Sequence, residues 1–98
     1  MEITLTEFKT KGFAIAKENG QRAGLMTYTI PSSDFIIIDH TKVEPSFEGK
    51  GVGKQLLYKI VEMAREKNIK IMPLCPFAKA MFLKITDIKY VLKQIISL

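Results

Sequence analysis

Ten residues, Phe47-Glu48-Gly49-Lys50-Gly51-Val52-Gly53-Lys54-Gln55-Leu56, hold the densest chemistry in the chain. They follow an apolar run and open a stretch of helical period. The alternate glycines Gly49, Gly51 and Gly53 leave backbone N–H groups bare at a helix N-terminus. The first amides of a helix lack intrahelical acceptors and the helix dipole is positive there, so an anion such as a pyrophosphate is readily held. Two side chains elsewhere could move protons or groups. His40 is the single histidine, and imidazole is the side chain that ordinarily titrates near neutrality, which suits a general base. A strand histidine with a satisfied hydrogen bond is the plainer reading. Cys75 is the single cysteine and stands just before Pro76, a residue that fits the first turn of a helix. Such a position favours the thiolate, so Cys75 could serve as a general acid or a nucleophile, or it could simply fill the core.

The elements that must position these residues are strands first, then a helix, a strand and further helical segments. Glu2–Phe8 reads as a short strand or a frayed terminus. Phe13–Glu18 is apolar and ends at Asn19-Gly20, a turn signal. Gly24–Ile30 alternates, with Met26, Tyr28 and Ile30 on one face. Pro31-Ser32-Ser33-Asp34 is a turn. Phe35–Thr41 begins as a continuous apolar run, which predicts a central strand buried on both faces. From Gly51 to Lys67 the period is helical, with Val52, Leu56, Leu57, Ile60, Val61 and Met63 or Ala64 forming one stripe. Asn68 stops that helix. Ile69–Leu74 reads as a strand, and a strand–helix–strand crossover makes it parallel to Phe35–Thr41. Phe77, Ala78, Met81, Phe82 and Ile85 recur at helical spacing. Asp87 would cap a last segment with Ile88, Val91, Leu92, Ile95 and Ile96 in a stripe.

Length and composition narrow the function. Ninety-eight residues predict one domain, residues 1–98. A 47% hydrophobic, 26% charged composition is that of a globular chain. No apolar run is long enough to span a membrane. The N-terminus carries Glu2 and Glu7 and lacks the basic-then-apolar order of a signal peptide, so a cytoplasmic location is expected. One cysteine and one histidine, without partners at ligand spacing, predict no metal site. The net charge of +5 comes mostly from scattered lysines. It fits solubility, or attraction of an anionic ligand. Few arginines and no interleaved aromatics argue against nucleic acid as the partner.

Two familiar phosphate loops do not fit. A P-loop needs a glycine where Glu48 stands and a hydroxyl where Gln55 stands. The dinucleotide fingerprint needs its third glycine at Lys54, within a larger parallel sheet.

Strand, loop, Gly-x-Gly-x-Gly, helix, strand resembles the coenzyme A site of the GNAT acetyltransferases. Gly51 and Gly53 fall on that superfamily's Gly-x-Gly/Ala, and Glu48 stands where Arg or Gln is usual. Asp39-His40-Thr41-Lys42-Val43-Glu44-Pro45 before the loop and Pro73-Leu74-Cys75-Pro76-Phe77 after the helix are similar to the compact bacterial branch of small GNAT-like acetyl-CoA-binding proteins. Lys42 replaces a usual Glu. The likeness spans roughly residues 12–90.

The resemblance implies a minimal GNAT-like fold, α/β or equally α+β, with a mixed antiparallel and parallel sheet. It implies acetyl-CoA or coenzyme A as co-substrate and no metal. The pyrophosphate would lie on Glu48, Gly49, Lys50, Gly51, Val52, Gly53 and Lys54. The pantetheine arm would extend the sheet where the two parallel strands part, along Thr41, Lys42 and Val43, and would end near Cys75, Phe77, Ala78, Met81 and Phe82. His40 and Cys75 are the catalytic candidates. Many relatives place a tyrosine on the following helix, whereas Ala78-Lys79-Ala80-Met81-Phe82 has no hydroxyl. Larger relatives also insert two helices between their first strands, where this chain has only Asn19 to Ala23. The acceptor side is therefore expected to be open, suiting a protein lysine, a polyamine or a dimer partner.

The leading function is N-acetyl transfer from acetyl-CoA to an amine by a monomer or homodimer. The alternatives are a coenzyme A or acyl-CoA binding module with little turnover, and a basic interaction domain.

Overall fold

The computed structural model describes residues 1–85 together with Ile88 and Val91. Five strands form one sheet in the order β1-β2-β3-β4-β5. They are β1 Glu2–Glu7, β2 Lys11–Glu18, β3 Gln21–Thr29, β4 Phe35–Val43 and β5 Lys70–Pro73. The first four pair antiparallel through short turns, and Asn19 and Gly20 take the left-handed conformations that the β2–β3 turn requires. β5 runs parallel to β4. A single 3-10 turn, Pro45–Phe47, and helix α1, Val52–Lys67, make the crossover. Helix α2, Pro76–Lys84, follows β5. The mixed sheet and crossover helix are those expected, and Glu2–Glu7 is a true strand. Asp87, Leu92, Ile95 and Ile96 lie outside the described residues.

Both helices cover one face of the sheet. The α1 stripe of Val52, Leu56, Leu57, Ile60, Val61 and Ala64 is buried against Ala14, Ala16, Met26, Ile36 and Ile38. Ile88 and Val91 join this core. α1 ends at Asn68, whose left-handed backbone directs its N–H to the carbonyls of Ala64 and Arg65.

One expectation fails. β4 is not buried on both faces: Ile36 and Ile38 are buried, whereas Phe35 and Ile37 are only half-buried. Among the described residues helices stand on one side alone, so the other face is partly open.

Tyr28 anchors the sheet to α1. Its ring is 1% exposed and its hydroxyl donates to Glu7 Oε2 at 2.8 Å, while Lys67 Nζ reaches Glu7 Oε1 at 3.2 Å. Burial first, then the Glu7 hydrogen bond and charge, hold the phenol protonated well above its ordinary value of 10.0. A raised folded-state pKa gives stability that is complete below the unfolded value and lost as pH rises beyond it. Tyr28→Phe is thus expected to cost about 1 kcal/mol near neutrality and to flatten the decline above pH 10.0. Urea unfolding at neutral and alkaline pH measures both effects.

Candidate active site

β4 and β5 pair only from Phe35↔Lys70 to Ile38↔Pro73. β4 continues to Val43 with no partner on that side among the described residues. The parting point is Ile38, whose carbonyl accepts from Leu74 N–H at 3.0 Å and Cys75 N–H at 3.2 Å. The chain then turns at Cys75 into α2, with Pro76 at the first helical position, where its missing N–H is harmless.

The β3–β4 register fixes which amides face the gap. Glu44 N–H donates to Ala23 O at 2.9 Å. Antiparallel pairs alternate between bonded and non-bonded, so His40, Lys42 and Glu44 direct their amides to β3. Thr41 and Val43 therefore direct theirs into the gap.

A bulge between Thr27 and Tyr28 makes Asp39 an extra residue on β4, with Tyr28 opposite Ile38 and Thr27 opposite His40. Thr41 pairs with buried Met26 and faces the helices. Its Oγ1 lies 3.1 Å from Cys75 Sγ, which is 4% exposed. This contact bridges the mouth of the gap. His40 pairs with Thr27 and stands exposed on the opposite face. The two catalytic candidates are therefore not neighbours; the sheet lies between them.

The glycine loop adjoins the same opening. Phe47 is buried beneath it, with Lys50 Nζ 5.4 Å above its ring. Gly49 and Gly51 have φ of 81° and 73°, the left-handed region that favours glycine. A Cβ on either would meet nothing within 4 Å, so this backbone faces open space. The first intrahelical acceptor is Gly51 O, used by Gln55 N–H at 3.1 Å. Among the described residues, no backbone acceptor engages the amides from Gly49 to Lys54. Lys54 Nζ leans 5.8 Å over the Tyr58 ring, and Lys42 Nζ lies 3.9 Å from Glu44 on the exposed rim. Glu48 is exposed.

Gly53 is different. A Cβ there would stand 2.6 Å from Phe77 Cζ, so this glycine admits the α2 ring onto the first turn of α1. Ala78 and Phe82 are wholly buried in the core, while Phe77 and Met81 are half-buried. Of the α2 residues expected beside the ligand, only the last two have side-chain surface to offer.

Gly24, which sequence reasoning did not single out, seats α1. A Cβ there would lie 2.8 Å from Val52 Cγ1 and 3.0 Å from Lys42 O. Gly24→Ala is expected to cost about 1–3 kcal/mol by overpacking. Adding Val52→Ala should recover part of that loss, a coupling that thermal unfolding of the double-mutant cycle reads.

A family model described as GCN5-related N-acetyl-transferase matches residues 12–91. The chain belongs to the GCN5-related N-acetyltransferase family. A GCN5-like protein from Staphylococcus aureus is 34% identical, with TM-score 0.70 over 95% of this chain and 90% of that one. Ribosomal-protein-alanine N-acetyltransferase from Brucella melitensis biovar Abortus 2308 shares the fold at 18% identity and TM-score 0.71, over 93% and 68% of the two chains. So does AAC(6')-Iy, solved with the bisubstrate analog CoA-S-monomethyl-acetylneamine, at 17% identity and TM-score 0.59, over 93% and 70%. No curated protein sequence matches the chain. Among the described residues no helix is long and apolar enough to cross a membrane, and no group of three metal-ligating side chains occurs.

Proposed function

We propose that this chain binds acetyl-CoA between the glycine loop and the parted strands and transfers the acetyl group to an amine. The observation that carries the reading is the run of amides from Gly49 to Lys54, which meet no acceptor among the described residues, beside the β4 edge that the described strands leave unpaired. Those amides hold the pyrophosphate, with the α1 dipole and Lys50 adding positive potential. The pantetheine arm lies along Thr41–Val43 as an added strand. One of the two gap-facing amides, Thr41 or Val43, receives the thioester carbonyl. A donor aimed at the developing oxyanion is worth roughly 3 kcal/mol.

The acceptor ammonium gives a proton to His40. The nitrogen lone pair then attacks the carbonyl carbon, forming C–N and breaking C–S. Cys75 Sγ–H protonates the departing thiolate, the second amine proton passes through solvent to the Cys75 thiolate and restores it, and His40 releases the first proton to solvent. The products are an acetamide, coenzyme A thiol and one proton. The burial of Cys75 and its contact with Thr41 favour this proton-donor role over an acyl relay, because an acyl carrier must meet the incoming amine. Incubation with acetyl-CoA alone should therefore leave the chain's mass unchanged. An acetyl group on the wild type, missing from Cys75→Ala, would establish the relay instead.

A binding module with little turnover is the second reading, favoured by the lack of a hydroxyl from Ala78 to Phe82. Release of coenzyme A thiol that depends on added amine separates the two. Saturable binding without any such release would leave only the binding module.

A further inference from the structure

The acceptor must reach the thioester from the face that the described helices leave open, and that face carries a cleft of about 550 Å³ whose lining extends to Asp39 and His40 on β4. Asp39 and His40, the first β4 residues beyond Ile38, form its inner end. Thr29 Oγ1 donates to Asp39 Oδ2 at 2.6 Å, which fixes the carboxylate and leaves Oδ1 for a cationic ligand. The outer end is aromatic. Phe8 is 63% exposed, and its ring lies 6.0 Å from that of Phe13 at an angle of 43°. The floor is Thr27, on the strand between. Two strand spacings, about 10 Å, separate the aromatic end from the carboxylate.

We infer that the acceptor is a small primary amine carried on an aromatic or branched apolar body, its ammonium held by Asp39 beside His40 and its body packed on Phe8 and Phe13. This rests on the acetyl-transfer reading. Ligand sites are largely apolar, with a few polar groups that fix orientation, and this cleft has that division along its length. A polyamine suits it less. Lys11 also lines the cleft and the chain carries a net charge of +5, so a second ammonium would face positive potential where the rings stand.

The test uses the full chain in two steps. Backbone-amide NMR first establishes saturation with coenzyme A. 2-Phenylethylamine is then titrated into the saturated protein, with spermidine and a lysine tripeptide in parallel. The amides of Phe13, Thr27, Thr29 and His40 are expected to shift with 2-phenylethylamine at the lowest concentration of the three. Phe8→Ala and Asp39→Asn should each weaken that binding about tenfold, through lost aromatic contact and a lost charged hydrogen bond. Tighter binding of spermidine or the tripeptide, or wild-type affinity in both variants, would overturn the inference and leave the proposed function standing. Failure to saturate with coenzyme A would overturn the function, and this inference with it.

Discussion

Gly51→Glu is expected to weaken coenzyme A binding by about 100-fold, the equivalent of one or two charged hydrogen bonds at about 1.5–3 kcal/mol each. Gly51 has φ 73° and stands one residue before α1, with nothing within 4 Å of where its Cβ would be. A side chain there strains the backbone by about 1 kcal/mol but collides with nothing, so the fold should survive. The glutamate would carry its charge into the volume where the loop amides converge, and repel the pyrophosphate it partly displaces. Gly51→Ala keeps the strain without the charge and should retain most of the affinity. Calorimetry reads the binding and circular dichroism the fold. Unchanged affinity in Gly51→Glu would remove the ligand from this loop.

His40→Ala should lower turnover at pH 7 by about 100-fold, the usual scale for a positioned general base. Its coenzyme A affinity should be that of the wild type, because His40 stands on the opposite face from Thr41 and Cys75. The deficit should shrink as pH rises toward the pKa of the amine itself, where free amine no longer depends on a base. Steady-state rates from pH 7 upward test this. Undiminished turnover at pH 7 would exclude His40 as the base.

The face that His40 occupies was not legible in the sequence. Counting by twos from Ile36 and Ile38 puts His40 on the helix side and Thr41 on the open side. The bulge at Asp39 reverses both, and nothing in Ile38-Asp39-His40-Thr41 announces an extra residue. The same bulge brings Thr41 Oγ1 to Cys75 Sγ and delivers Asp39 to Thr29. The α1 stripe, by contrast, was fully readable, because a helix of regular period buries the side chains its spacing selects. The glycine loop was readable in part. Gly49 and Gly51 carry the left-handed turns that alternate glycines suggest, but the need for Gly53 comes from Phe77, distant in sequence. Spacing alone does not divide a short helix between core and surface: Ala78 and Phe82 are buried, whereas Phe77 and Met81 keep exposed surface. The apolar start of β4 predicts two covered faces, whereas the two described helices cover only one.

A backbone-amide NMR titration with coenzyme A tests the central claim most directly. Shifts concentrated at Gly49–Lys54, with Thr41 and Val43 following, are the predicted result. Saturable binding that leaves those amides unmoved, or no binding at millimolar ligand, would contradict it.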